Sequence, residues 1–377
     1  MRPPEAEDRI DATMDAQDYL IPLAVAFGVA MLMTPVVIRL AVAIGITDRP
    51  SERSVNRRPN IPLMGGVAVG IGFAAGLAAA IRLVDAEVPG GRLTGLALGG
   101  GVVLASGIYD DRFGMNAWWK FAVQIVAALI AISCGYQIDH LTEPFSYTIL
   151  ELPVWALWGL TTLWIVTVTN AINLIDGLDG LATGVAAIIA ATLALIAAQG
   201  GLSFGVCLGV VLVGALLGFL PFNFPPGRIF LGDTGALFIG YMLSLIALEG
   251  YRSVSLLTFI VPLFALAAPI LDTGLSVLRR LRARSPIFSA DRHHLHHRML
   301  ESAGGSARRA VMQFYLLTLA FCLIALAFSK LEGFSAGLFL LAVAALTLRL
   351  VSNIGALSVE SEGPPNEVRE GVSEGKP

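Results

Sequence analysis

The chain has 377 residues, 56% of them hydrophobic and only 14% charged, with a mean hydropathy of +0.75. So little polar surface excludes a soluble globular protein, and no nucleic-acid partner is expected. The formal net charge of −3 averages over faces that meet different compartments, so the placement of charge along the chain says more than its sum.

Residues 1–18 form an acidic tail carrying Glu5, Glu7, Asp8, Asp11, Asp15 and Asp18, and an acidic leader is the wrong sign for a signal peptide. Apolar runs of spanning length then recur about eleven times, near 19–44, 61–83, 93–109, 117–134, 153–170, 178–198, 202–220, 233–248, 255–278, 312–330 and 333–351. The stretch 136–150 is too polar and too short to cross. Helices satisfy their own backbone in lipid segment by segment, so the expected fold is all-α, a polytopic transmembrane helical bundle over 19–351. Residues 352–377, rich in Gly, Pro, Glu and Ser, read as a disordered tail. Cys134, Cys207 and Cys322 stand alone in or at the ends of apolar spans, where they act as small packing residues.

Lys and Arg set the orientation. Loops after odd-numbered spans carry Arg49, Arg53, Arg57, Arg58, Arg112, Arg228 and the run from Arg279 to Arg309. Loops after even-numbered spans hold little beyond Arg82, Arg92, Arg252 and Lys330, beside the acidic Asp139, Glu143 and Glu151. The odd loops are therefore expected in the cytoplasm, with the N-terminal tail in the periplasm and the C-terminal tail inside.

Four polar clusters all fall in loops of that cytoplasmic parity. Ionisable groups beside hydrocarbon are costly, which makes a functional site the default reading. The first is Asp110-Asp111-Arg112, where the third span ends. Adjacent carboxylates repel unless a cation or proton is shared, so the pair reads either as a base or metal-facing pair or as an interfacial helix cap. Lys120 and Gln124, one turn apart on the next span, face it; Lys120 suits a phosphate, or else snorkels.

The second cluster places Asn170, Asn173, Asp176 and Asp179 at intervals of three residues, along one side of a helix approaching the surface. Burying amides and carboxylates unpaired costs several kcal/mol, so packing alone is a poor explanation. Gly177 and Gly180 let backbone or ligand come close. An EF-hand is excluded by the ligand spacing. The third cluster runs from Asn223 through Pro225, Pro226 and Arg228 to Leu231-Gly232-Asp233. Asp233 and the side-chain oxygen of Asn173 are the expected ligands of a hard cation such as Mg²⁺, with Mn²⁺ able to stand in. Asp110, Asp111, Asp176 and Asp179 are the candidate catalytic carboxylates.

The fourth cluster, His293, His294, His296, His297 and Arg298, lies in an arginine-rich loop. Four imidazoles raise a zinc site, but there is no Cys or HExxH partner. Imidazole and guanidinium groups together suit a phosphorylated sugar or nucleotide.

With these clusters in order, the chain resembles the polyprenyl-phosphate N-acetylhexosamine-1-phosphate transferase family. The matching residues are Asp110-Asp111, Lys120, Gln124, Asn170 through Asp179 with Gly180, Asn223 with Phe230-Leu231-Gly232-Asp233, and His294-Leu295-His296-His297. The likeness runs from about Asp48 to Arg298 and includes Pro62, Gly65 and Gly66. It implies Mg²⁺-dependent transfer of a sugar-1-phosphate from a UDP-N-acetylhexosamine to undecaprenyl phosphate at the cytoplasmic bilayer surface, with release of UMP. The H-x-H-H form looks like the N-acetylglucosamine-1-phosphate branch. Arg298-Met299 departs from the phospho-N-acetylmuramoyl-pentapeptide branch, whose histidine motif ends in an acidic residue. Lys120, Gln124, Asn170, Asn223, His293, His294, His296, His297 and Arg298 are the candidate substrate-binding residues. A homodimer is compatible with the chain.

Two rival classes remain. An intramembrane aspartyl protease would use Tyr109-Asp110 and Leu231-Gly232-Asp233, but leaves Asn173, Asp176, Asp179 and the histidines without a role. An anion transporter would show broken helices near the midplane and a repeated half.

Overall fold

The computed structural model describes residues 17–48, 60–83, 88, 90–142, 149–150, 152–250, 253–282, 295–330 and four single positions between 335 and 342. Most of the last expected span, residues 1–16 of the N-terminal tail, the C-terminal tail, and His293 and His294 lie outside these residues. Among the described residues, helices α1 (Leu20–Ala43), α2 (Gly65–Leu83), α3 (Arg92–Phe113) and α4 (Ala117–Ser133) lead to the strands β1 (His140–Thr142) and β2 (Ile149–Leu150). Then come α5 (Val154–Ile175), α6 (Leu181–Gln199), α7 (Ser203–Asn223) and α8 (Gly232–Gly250). The strand β3 (Ser253–Ser255), α9 (Leu256–Ala265), α10 (Ala267–Arg282), α11 (Leu295–Ser302) and α12 (Ala307–Phe328) complete the order.

Seven of these helices are long and apolar enough to cross a membrane: α1, α2, α3, α5, α6, α7 and α12. α4 is apolar but shorter. Among these seven, α6 and α7 are the most enclosed, while α1 and α12 expose much of their surface; α8 is buried from Thr234 to Glu249. Helices that are apolar all round occupy the centre of such a bundle. Close packing rests on small residues rather than on an amphipathic face. A Cβ on Gly66 would strike the backbone of Gly235, and one on Gly107 would lie 2.8 Å from the carbonyl carbon of Asp233. α2 and α3 therefore press directly on the start of α8.

Two features depart from the all-helical expectation. β1 pairs antiparallel with β2 and parallel with β3, making a small sheet at one end of the bundle, within and beside the polar 136–150 stretch. The apolar run 255–278 is two helices, not one span. Proline at 269 has no N–H for the Ala265 carbonyl and its ring crowds that oxygen, which ends α9 there. The freed carbonyl instead accepts a hydrogen bond from Cys322 Sγ of α12 at 3.7 Å.

The two ends of the bundle differ in character. At the sheet end, buried Arg92 on α3 pairs with buried Glu249 on α8, and its guanidinium lies 4.6 Å from the centre of the Tyr136 ring. Removing one partner of a buried pair strands the other charge at a cost of about 3–5 kcal/mol, whereas replacing both with apolar groups is close to neutral. Glu249→Met is therefore expected to lower the thermal midpoint in detergent sharply, and Arg92→Met/Glu249→Met to recover most of it. A double variant as unstable as the single one would contradict this reading.

At the opposite end, α3 finishes, α4 begins, α5 and α7 finish, and α6 and α8 begin. The Pro62 to Gly66 segment joins them: Phe230 N donates to Pro62 O at 2.9 Å, and Gly65 and Gly66 donate to Phe230 and Leu231 carbonyls at 3.1 Å. Exposed Tyr109, Phe113, Trp118 and Trp119 ring this end, as Trp155 and Trp158 ring the other. Amphipathic rings at both edges mark where such a bundle meets the headgroups.

Candidate functional site

Asp233 opens α8 immediately after Gly232, whose φ of +71° makes the turn. A carboxylate in the first turn sits at the positive end of the helix dipole. Lys120, on the first turn of α4, donates to Asp233 Oδ2 at 3.1 Å and forms an ion pair with Asp110 Oδ2. Asn173 on α5 donates its amide Nδ2 to Asp233 Oδ1. Asp110 also accepts from the Met115 N–H at 2.5 Å, beyond the end of its own helix. Four elements that begin or end at this edge thus meet around two carboxylates and one ammonium.

Asp111 does something different from its neighbour. Its Oδ1 accepts from the Asp233 N–H at 2.8 Å, and its Oδ2 accepts from Thr234 N at 3.3 Å and Thr234 Oγ1 at 2.5 Å. It caps the N-terminus of α8 from α3, which matches the cap reading of the Asp pair rather than the base reading. Gly232 is required beside it, since a Cβ there would lie 2.5 Å from Asp111 Oδ2. Loss of a helix cap costs about 0.5–2 kcal/mol. Asp111→Ala is expected to destabilise the fold by that amount, seen as a lower thermal midpoint, and to impair activity through Asp233; unchanged stability would argue against the cap.

The four polar residues of the second cluster separate into three roles. Asn170 exchanges amide hydrogen bonds with Gln124 and donates to the Val166 carbonyl at 2.8 Å, tying α5 to α4. Asn173 faces Asp233. α5 ends at Ile175, so Asp176 is its C-cap and Asp179 lies in the turn that follows. Asp179 Oδ2 accepts from the Gly227 N–H at 2.8 Å. Asn223, expected to touch substrate, is 2% exposed; it accepts from Thr183 Oγ1 at 2.7 Å and donates to Ile229 O at 3.0 Å. Asp179, expected among the catalytic carboxylates, and Asn223, expected to bind substrate, therefore brace the 224–231 loop in this structure. Asp176 accepts no hydrogen bond among the described residues. Its burial, and then the negative charges of Asp233, Asp111 and Asp179, hold its carboxyl well above the usual carboxylate range.

Five aspartates, Asp110, Asp111, Asp176, Asp179 and Asp233, thus gather at one edge with Lys120 as the ammonium bridging two of them. That cluster of carboxyl groups, with neither Asp176 nor the Asn173 side-chain oxygen accepting a hydrogen bond among the described residues, fits a hard cation, which would take the place of the proton that burial favours on Asp176. No three His, Cys, Asp or Glu groups among the described residues converge as a protein-only metal cage. An aspartyl-protease dyad is a poor match, because it leaves Lys120, which pairs with both Asp110 and Asp233, without a role.

His296, His297 and Arg298 lie on α11, which packs against α12. Arg228 is exposed on the loop before α8. Thr234 and Thr183, which hold Asp111 and Asn223, are residues that sequence reasoning passed over. Thr234 directly follows Asp233 in the polar motif and was the nearer of the two to being found.

Residues 93–251 match the family model described as Glycosyl transferase family 4. The chain is 37% identical over 352 residues to the probable undecaprenyl-phosphate N-acetylglucosaminyl 1-phosphate transferase of Bacillus subtilis, covering 92% of this chain and 96% of that protein. It is 37% identical over 303 residues to the decaprenyl-phosphate N-acetylglucosaminephosphotransferase of Mycolicibacterium smegmatis, covering 74% of each. It is 33% identical over 344 residues to the phospho-N-acetylmuramoyl-pentapeptide-transferase of Desulforudis audaxviator, covering 82% of this chain and 98% of that protein.

Proposed function

The chain belongs to glycosyl transferase family 4 and is a membrane-embedded transferase, and we propose that it moves N-acetylglucosamine-1-phosphate from UDP-N-acetylglucosamine to undecaprenyl phosphate. UMP leaves, and the product starts a lipid-linked envelope glycan. The observation that carries this reading is the Lys120 bridge between Asp110 and Asp233 at the bundle edge, with Asn173 and Asp176 beside it. It combines positive charge for phosphates with carboxylates for a cation, at the depth where a lipid phosphate and a soluble nucleotide can meet. Support for the N-acetylglucosamine branch comes from the Bacillus subtilis and Mycolicibacterium smegmatis relatives and from the histidine motif.

In the reaction, an oxygen of the lipid phosphate attacks the sugar-bearing phosphorus of the donor. The bond from that phosphorus to the bridging oxygen breaks, and the oxygen leaves on UMP. Phosphoryl transfer of this kind needs positioning and charge neutralisation more than covalent chemistry. Asp233, the Asn173 oxygen and Asp176 would hold Mg²⁺, which supplies charge neutralisation and polarises the diphosphate oxygens. Ionised Asp110 takes the last proton of the lipid phosphate. Lys120, with one N–H beyond those used on Asp110 and Asp233, orients a phosphate oxygen. Asp111 and Thr234 keep the start of α8 in place during the exchange.

The positive charges of the loops support an orientation in the bacterial cytoplasmic membrane with this edge in the cytoplasm, where UDP-sugars are made. Purified protein should release UMP only when undecaprenyl phosphate, a divalent cation and UDP-N-acetylglucosamine are all present. Preference for UDP-N-acetylmuramoyl-pentapeptide would move the chain to the other branch, and full activity in excess chelator would overturn the cation assignment.

A further inference from the structure

α12 lies beyond the residues that match the family model, yet it reaches both loops that carry the motif residues. Tyr315 Oη donates to the Gly180 carbonyl at 2.5 Å, at the start of α6. Arg308 Nε donates to the Pro225 carbonyl at 2.8 Å, in the loop between α7 and α8. The two donors are seven residues apart, close to two helical turns, and so lie on one face of α12.

The two loops are already joined to each other. Asp179 accepts from Gly227, Thr183 donates to Asn223, and a Cβ on Gly180 would lie 3.1 Å from Phe224 Cα. They form one body, hung from α5, α6, α7 and α8. α12 adds two hydrogen bonds to that body from outside, and it also packs against α11, which carries His296, His297 and Arg298. A Cβ on Gly184 would strike the Tyr315 ring, so the ring sits directly against α6 in the space that the glycine leaves. A backbone carbonyl accepts from any donor in reach, so neither Tyr315 nor Arg308 is needed to satisfy α12 itself. Their shared feature is the pair of loops they hold.

We infer that Tyr315 and Arg308 are positioning residues that fix the Asp176–Asp179 turn and the 224–231 loop relative to the helix bearing the histidines. This rests on the transferase reading above. Loosening such a frame displaces the carboxylate edge from the donor-binding histidines without removing any group that touches substrate. Misplacement on the scale of 1 Å costs up to roughly a hundredfold in rate, and loss of one of two anchors should cost about tenfold.

The test uses the full-length protein in detergent with Tyr315→Phe, Arg308→Ala and Arg308→Lys. Tyr315→Phe keeps the ring against Gly184 and removes only the donor. Expected results are faster amide exchange confined to peptides covering 176–184 and 224–231, and kcat about tenfold lower with KM for the nucleotide sugar changed less than about threefold. Arg308→Lys, which keeps a cationic donor, should recover most of what Arg308→Ala loses. Unchanged exchange in both loops, or acceleration spread evenly over the helices, overturns the inference. So does Arg308→Lys behaving like Arg308→Ala. If wild-type protein fails to release UMP, the transferase reading fails, and the exchange measurements still decide whether α12 holds the loops.

Discussion

Asp233→Asn is expected to lower kcat by about a thousandfold and to raise the Mg²⁺ concentration needed for half-maximal rate. The substitution keeps the shape of the side chain and can still accept from Asn173 Nδ2, so geometry at the start of α8 is preserved. What it removes is one negative charge. Lys120 then keeps its ion pair with Asp110 alone, and the proposed cation would lose a charged oxygen ligand. Preorganised charge in a site that excludes water is worth several kcal/mol, which is the origin of the expected factor. Asn173→Ala removes a neutral ligand and the donor to Asp233, and should show the same raised cation requirement with a smaller fall in kcat. Normal rate and normal cation dependence in Asp233→Asn would remove it from the site.

Gly107→Ala should lower activity by roughly a hundredfold although residue 107 touches no substrate. The missing side chain lets α3 run against the backbone of Asp233 and Thr234, and an added Cβ would collide with both residues. Backbone cannot rotate away, so one helix must move, and overpacking of this kind costs about 1–3 kcal/mol. Both Asp111, which caps α8, and Asp110, which meets Lys120, are carried on the displaced end of α3. Gly101→Ala on the same helix is the control. Nothing lies within 4 Å of a Cβ there, so it should leave activity intact and be neutral or slightly stabilising. Equal behaviour of the two variants would show that the α3–α8 contact does not set the site.

Much of this site was legible because polar residues are conspicuous in an apolar chain. Asp110, Lys120, Asn173 and Asp233 were all singled out by their position at span ends, and the structure brings them together. The roles within each motif were harder to read. Asp110 and Asp111 were grouped because they are neighbours, but adjacent residues on a helix point about 100° apart. One therefore meets Lys120 and the other meets α8. The three-residue spacing from Asn170 to Asp179 suggested a single helix face, yet α5 stops at Ile175 and Asp179 turns away to hold Gly227. Asn223 was expected to bind substrate from the family resemblance; it is buried, with its side chain joining Thr183 to the Ile229 carbonyl. The break at Leu266 follows from Pro269, a signal present in the sequence and overridden by the continuous apolar run. Tyr315 and Arg308 carried no signal, since their partners are backbone carbonyls more than eighty residues away.

The most direct test of the transferase reading follows one phosphorus atom. UDP-N-acetylglucosamine labelled at the sugar-bearing phosphate is mixed with undecaprenyl phosphate, Mg²⁺ and the purified protein, and lipid and aqueous phases are then separated. The label is expected to pass to the lipid as a diphosphate-linked sugar, leaving unlabelled UMP as the aqueous nucleotide. Labelled UDP in the aqueous phase beside a lipid that gained only the sugar would contradict it.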